Sequence, residues 1–493
     1  MKPLVLPLLA LALGLACRSL PESSAPRPNI LFLLADDQRA DSIGAYGNAN
    51  IVTPNLDALV KRGYSFRSTY CMGSPHGAVC RPSRAMLMSG RQLFGIRQDL
   101  KEVPTLPQVL RGAGYQTFGT GKWHNNPEPF QRSFESGRNV FFGGMCDHTA
   151  VPLCDLPVGG ELTKKRTGEA FSSELFADAA VDFLRQRGDE ERPFFLYVSF
   201  TAPHDPRQPP QRWRDHYAEH PPALPANYMP LHPFHNGWMN GRDEKLAGWP
   251  RTREVIESQL GEYYGLISHV DEQVGRILEA LEDSGELENT LIVYSADHGL
   301  AMGSHGLLGK QNLYEHSTKA PLILAGPGIP RGESHALTYL FDLFPTLCAS
   351  AGVEVPFGLD GHDLLPIVHG ARPEVREQLV TAYEDKMRAV RDERWKLIRY
   401  PLINHTQLFD LETDPDELVD LAREDEHQLR VADMLRDLTN WQELLGDDQP
   451  LTSEEPEPME YDPSEWERKP DGWQPAWIRE KYFAEYSGET SGE

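Results

Sequence analysis

The chain predicts an α/β fold: a mostly parallel central sheet flanked by helices, followed by a smaller C-terminal antiparallel sheet with a helix. Three observations carry this. Continuous apolar runs such as "NILFLLADD" (29–37) and "TLIVYSADHG" (290–299) read as strands buried on both faces. Amphipathic helical segments alternate with them, the pattern of a sheet covered on both sides. After about residue 375 the runs shorten and alternate in hydrophobicity, with a turn between them, as antiparallel strands do.

The elements follow in order. After the first strand, "TPNLDALVKRG" has Thr53 as N-cap, Pro54 at the first helical position and Gly63 as stop. A second helix, "TLPQVLRGAG", feeds the strand "YQTFGTGKWH" (115–124). Residues 169–188 put Leu175, Phe176, Ala179, Ala180, Phe183 and Leu184 on one helical face and lead into the strand "PFFLYVSFTAPHD". A long helix over about 253–283 repeats apolar residues every three or four positions and precedes "TLIVYSADHG". The insert 205–250, rich in proline, tryptophan and histidine, has no period and reads as a loop beside a pocket. "MRAVRDERWKLIRY" and "QLFDLETDPDELVDLA" form the C-terminal strands, with a helix around 423–440. The units are thus 1–17, a main unit over 27–375, an α+β subdomain over 376–446 and an acidic, Pro- and Trp-containing tail over 447–493.

Residues 1–17, "MKPLVLPLLALALGLAC", have the layout of a secretory signal: Lys2, a leucine- and alanine-rich run, then small residues. The run is too short to span a bilayer and Pro7 interrupts it; no later stretch is apolar enough to cross one. "GLAC" resembles a bacterial lipoprotein cleavage site, which would leave Cys17 lipidated. With Gly14 where leucine is usual, ordinary cleavage after Ala16 stays open as well. Either ending exports the protein: to the periplasm, to the outer membrane as a lipoprotein, or to the medium. A net charge of −25 excludes a nucleic-acid binder, which needs a basic face, and requires any anionic substrate to meet a local positive pocket. Among the cysteines beyond Cys17 (71, 80, 146, 154 and 348), Cys146 and Cys154 flank a short loop and form the most natural disulfide, with buried free thiols as the alternative.

In a parallel sheet, ligands bind at the carboxyl ends of the strands. Four apolar runs end in Asp36-Asp37, Lys122-Trp123-His124, His204-Asp205 and Asp297-His298, so one site is expected there. Asp36, Asp37 and Asp297 are hard oxygen donors that favour calcium, or less well magnesium, over zinc; His298 adds a nitrogen. Cys80 precedes "RPSRAMLMSG" and sits at a predicted helix N-terminus, where peptide dipoles lower a thiol pKa. Arg84, one turn along, faces the same way and suits an anion. On these residues alone, Cys80 stays open to four readings: nucleophile, metal ligand, disulfide partner or plain core.

"CRPSR" (80–84) matches the C-x-P-S-R core of the type I sulfatases, a branch of the alkaline-phosphatase superfamily. "NILFLLADD", "GKWH", "APH", "SADHG", "GSHGLLGKQNLYE" and the C-terminal strands also resemble blocks of that family, in its order, over roughly residues 27–425. The resemblance is to bacterial members of the arylsulfatase and iduronate-sulfatase kind, and implies an alkaline-phosphatase-like fold. It also implies that a maturation enzyme oxidises Cys80 to formylglycine. One hydroxyl of the hydrated aldehyde attacks sulfur, and the second then lets sulfate be expelled by carbon–oxygen cleavage, which a serine ester could not do. By motif, Asp36, Asp37, Asp297, His298 and the converted Cys80 match the ligands of a divalent cation. Arg84, Lys122 and Lys310 match groups that neutralise the sulfate. His124 fits the base on the second hydroxyl, and His204, with Lys310, the acid for the leaving alcohol. Lys122, His204, His305 and Lys310 are the expected substrate contacts, His305 being equally a loop residue. His76, Glu315 and His316 carry no role.

The expected function is therefore hydrolysis of an organic sulfate ester, with a sulfated carbohydrate as substrate. A phosphonate or phosphate ester hydrolase of the same superfamily is the closest rival, and a noncatalytic binder of sulfated glycans the rival of another class. Arg207, Trp213, Trp238 and Trp249 in the insert read equally as a carbohydrate subsite or as packing.

Overall fold

The computed structural model describes residues 27–188, 190–466 and 469–483. The expected signal segment and the lipidation position Cys17 lie outside the described residues. Asn29–Asp36, every residue of it buried, is central in an eleven-stranded sheet among the described residues. It pairs in parallel with Thr290–Ala296 on one side and Phe194–Pro203 on the other. Gln116–Lys122 and Ser136–Phe141 continue the parallel run, while Lys319–Ala325 is antiparallel to both of its neighbours. Burial on both faces explains why these strands read as unbroken apolar runs.

The helix Arg253–Asp283 spans 31 residues, as its period predicts, and packs with Ser172–Gln186 over the strand Phe194–Pro203. Thr252 caps it, accepting from the Val255 N–H. At the first helix, Pro54–Arg62, Thr53 does not cap; its hydroxyl donates to Asp57 and accepts from the Gly44 N–H. The insert 205–250 is not plain loop: it holds a helix at Gln211–Glu219 and a short turn of helix at Asp243–Leu246. Among the described helices none is long and apolar enough to cross a membrane.

The second sheet runs His405–Asp410, Trp395–Tyr400, Met387–Arg391, Leu379–Tyr383, and then Gly73–Ser74. The last pairing is parallel and stitches the C-terminal unit to the segment just before Cys80. Behind it, Lys396 lies between the carboxylates of Glu315 (3.0 Å) and Glu417 (2.8 Å), with Arg391 and Tyr70 also on Glu315. Glu315 thus carries a structural load. The helix Gln428–Leu445 covers this sheet. Cys146 and Cys154 are free thiols, not the expected disulfide; Cys154 lies in the strand Pro152–Leu156, buried against Val140 of its neighbour.

Strand-end geometry depends on Gly121. Its φ is +89°, and a Cβ there would stand 1.8 Å from the Ser199 carbonyl oxygen of the adjacent strand. Gly121→Ala is expected to cost at least ~3 kcal/mol, combining overpacking with a strained backbone. Urea denaturation checks this as a lowered midpoint at unchanged slope.

Candidate active site

The parallel pairing brings the four strand ends together. Cys80 begins the helix Cys80–Ser89, as the sequence expects. One ligand atom each from Asp37, Cys80, Asp297 and His298 lies within 4.8 Å of the others, and all four residues are buried. The Cys80 sulfur is 3.4 Å from Asp37 Oδ1, 3.2 Å from His298 Nε2 and 3.3 Å from Lys310 Nζ. Two carboxylates, an imidazole and the residue-80 side chain converging on one point suit a divalent cation.

Asp36 stands just behind this cluster. Its oxygens meet Lys122 Nζ at 2.5 Å and Arg84 Nη2 at 3.1 Å. Burial, with repulsion from Asp297 and Asp37, outweighs those cations and pushes its carboxyl up to about 8. Crowded carboxylates of this kind are what a cation relieves. For Asp37 burial opposes ionisation, but His204, Lys310 and His298 win and lower it. Lys310 Nζ lies 2.7 and 2.9 Å from the Asp37 oxygens, and these contacts outweigh burial and raise its pKa.

Arg84 is fully enclosed. Nε donates to Asp297 Oδ2 (3.0 Å), Nη1 to the Lys122 carbonyl and the Ser199 hydroxyl, and Nη2 to Asp36. Its role as seen is to hold two carboxylates and a strand end in place. The thiol differs from expectation. Burial pushes the Cys80 pKa well above the usual range, although Lys122 and Lys310 pull the other way. Desolvation beats the helix terminus, so Cys80 as a thiol is a protonated, weak nucleophile.

An open cleft of about 390 Å³ leads to the cluster, lined among others by Cys80, His124, His204 and Lys310. His204 Nδ1 donates to the Asp205 carbonyl (2.9 Å), which leaves Nε2 3.8 Å from Asp37 Oδ2. Burial lowers His204 to about 4 and His124 well below its usual value, so both imidazoles are neutral. His124 Nδ1 is buried and meets no hydrogen-bond partner among the described residues.

His305 is not with them. Its Nε2 donates to the Glu417 carbonyl, its ring stacks on Tyr314 at 3.9 Å, and its Nδ1 faces His316. It ties the loop to the C-terminal unit, and the expected substrate contact is withdrawn. Of the insert's four candidates only Trp238 lines the cleft. Arg207 is buried against Gln259, Trp213 packs on the helix cluster, and Trp249 stacks under Arg251.

Sequence reasoning missed several groups. His148 sits behind His204: its Nε2 donates to the His204 carbonyl (3.0 Å) and its Nδ1 faces Ser172 and Thr201. Arg242 binds Asp205, Asp243 and Asp471, and Gln311 links Asp243 to the Gly77 carbonyl. No periodicity marks these residues, and apart from the adjacent pair Arg242 and Asp243 their partners lie 24 or more residues away.

The profile of the family described as "Sulfatase" matches residues 28–353. The chain belongs to the sulfatase family. It is accordingly a sulfuric ester hydrolase, with the fold of the alkaline-phosphatase-like superfamily. A second profile, "N-sulphoglucosamine sulphohydrolase, C-terminal", matches residues 303–443 of this sulfatase. Among similar proteins, a choline-sulfatase of Rhizobium meliloti is 32% identical, covering 80% of this chain and 82% of its own. An N-acetylglucosamine-6-O-sulfatase of Bacteroides thetaiotaomicron is 27% identical over 91% and 92% of the two chains. A solved structure in complex with its substrate, D-glucosamine-2-N,6-O-disulfate, superposes with a TM-score of 0.72 at 25% identity, covering 87% of this chain and all of that one.

Proposed function

We propose that this sulfatase is an exported enzyme that hydrolyses a sulfate ester on a sugar. In this reading Cys80 is converted by a maturation enzyme to formylglycine, and calcium is held beside it. The main unit spans 27–375, the C-terminal subdomain 376–446 and the tail 447–493. The observation that carries the reading is the convergence of Asp37, Asp297, His298 and Cys80 at the floor of a cleft that also presents Lys310, His124 and His204. The donor set fits a hard cation, with Asp36 as a further carboxylate at the site.

When present, the aldehyde hydrate supplies an oxygen nucleophile and the cation polarises the sulfate oxygens. The chain's own residues do the rest. Lys310 and Lys122 place positive charge beside the sulfate, inside a protein whose overall charge repels it. Arg84 keeps Asp36 and Asp297 from moving. His124, neutral and with Nδ1 unpartnered, accepts a proton from the residue-80 side chain. His204 holds its Nδ1 proton on Asp205 and presents Nε2 to the leaving oxygen. An anionic ester in the cleft favours protonation of that nitrogen, which lets it protonate the departing alcohol.

The sugar is supported by the named substrate of the N-acetylglucosamine-6-O-sulfatase and the disulfated glucosamine in the superposed structure. The choline-sulfatase favours choline sulfate as the second reading. The test is turnover by the matured enzyme on sulfated monosaccharides, choline sulfate and the matching sugar phosphates. Preference for a sulfated sugar supports the reading; preference for choline sulfate or a phosphate overturns it. Dialysis against a chelator is expected to lower turnover at least ~100-fold, with calcium restoring it, because a Lewis acid at the reacting oxygens supplies several kcal/mol. Activity indifferent to chelation contradicts the cation.

A further inference from the structure

The segment 469–483 lies beyond both family matches, which end at 353 and 443, yet it reaches the active-site cleft. Two buried anchors hold it there. Asp471 accepts from Arg242 Nη2 at 2.9 Å, and Gln474 Nε2 donates to Asp205 Oδ2 at 2.6 Å. Asp205 is the residue whose carbonyl fixes His204. Farther on, Lys481 and Tyr482 bond to Glu262 of the long helix at 2.6 and 2.5 Å. The segment is therefore a strap, fastened at the cleft and again on the body.

Between Asp471 and Gln474, Trp473 is 76% exposed while lining the cleft. The turn donates the Trp473 N–H to Asp471 and the Gln474 N–H back to the Asp471 carbonyl, so the indole is carried on fixed backbone. Leaving an indole in water gives the fold little, whereas it suits a ligand that covers it. Trp238 lines the same cleft. It is held against Tyr383 and against Gly77, where an added Cβ would come within 3.0 Å of its ring. Polar groups of Arg242, Asp243 and Gln311 share that lining. Flat apolar faces beside hydrogen-bonding side chains match a sugar ring, which offers C–H faces and hydroxyls together.

We propose that the strap is a specificity element of this sulfatase, in which Trp473, with Trp238, stacks on the sugar ring that carries the sulfate. The inference rests on the sulfated-sugar reading above. Trp473 touches the substrate away from the reacting sulfur, so its contribution falls on binding.

The test compares Trp473→Ala and Trp473→Phe with the wild-type matured enzyme, using the sulfated monosaccharide that the wild type turns over best. Inorganic sulfate, as a competitive inhibitor, reads the sulfate pocket separately. Trp473→Ala is expected to raise KM roughly 5- to 10-fold, the range of one aromatic stacking contact, with kcat and the sulfate inhibition constant unchanged. Trp473→Phe is expected to restore most of the binding. An unchanged KM in Trp473→Ala overturns this inference alone. A parallel rise of KM and the sulfate inhibition constant also overturns it, since the strap would then only support the site. A wild type that turns over no sulfated monosaccharide overturns the sugar reading and this inference with it.

Discussion

Cys80→Ala is expected to lower turnover about ten-thousandfold or more while leaving the protein folded, because it removes the reacting group and little else. The side chain opens the helix Cys80–Ser89 and is buried against Asp37, His298 and Lys310. Alanine leaves a small cavity, and thermal melting is expected to shift by only a few degrees. Cys80→Ser separates the chemistry further. A serine hydroxyl in the same place has an oxygen to attack with, but no second hydroxyl to release the product. It is expected to accumulate as a sulfated protein after one turnover, visible by mass spectrometry. Multiple turnovers by the serine variant would contradict the account. So would thiolate chemistry at Cys80, which its buried and raised pKa disfavours.

Arg84→Ala is the second large effect, and it strikes stability as well as rate. Arg84 is 1% exposed in its side chain and pairs with Asp36 and Asp297, which are equally enclosed. Removing it leaves two buried carboxylates without their shared partner, a loss of about 3–5 kcal/mol. The Lys122 carbonyl and the Ser199 hydroxyl lose a donor as well. Turnover is expected to fall a further ~100-fold or more in the protein that remains folded, as Asp297 shifts at the cation site. Arg84→Lys recovers little, since an ammonium cannot span four acceptors in one plane. Urea denaturation with activity measured on the folded fraction checks both parts. A loss below about 1 kcal/mol would place Arg84 among surface-like ion pairs and refute its structural role.

Much of this is legible in the sequence. Asp36, Lys122, His204 and Asp297 each close an apolar run, and parallel pairing forces such ends to one edge. The long helix 253–283 was readable to its ends because its apolar stripe is unbroken. The illegible parts have physical reasons. His305 shares a motif with Lys310, but a loop turns its ring onto Tyr314 and away from the cleft. Cys146 and Cys154 are close in sequence, yet strand pairing and not proximity decides where their side chains point. The Cys80 thiol follows burial over helix dipole, and burial is a tertiary quantity. Arg242 and Trp473 meet the cleft from segments without period, through contacts across more than 200 residues.

The most direct measurement is mass spectrometry of the peptide bearing Cys80, taken from preparations made with and without a maturation enzyme and assayed in parallel for sulfatase turnover. The account predicts an aldehyde at residue 80 and a turnover that rises in proportion to the aldehyde fraction, vanishing where only thiol is present. Full turnover in a preparation whose residue 80 is entirely unmodified cysteine would contradict it.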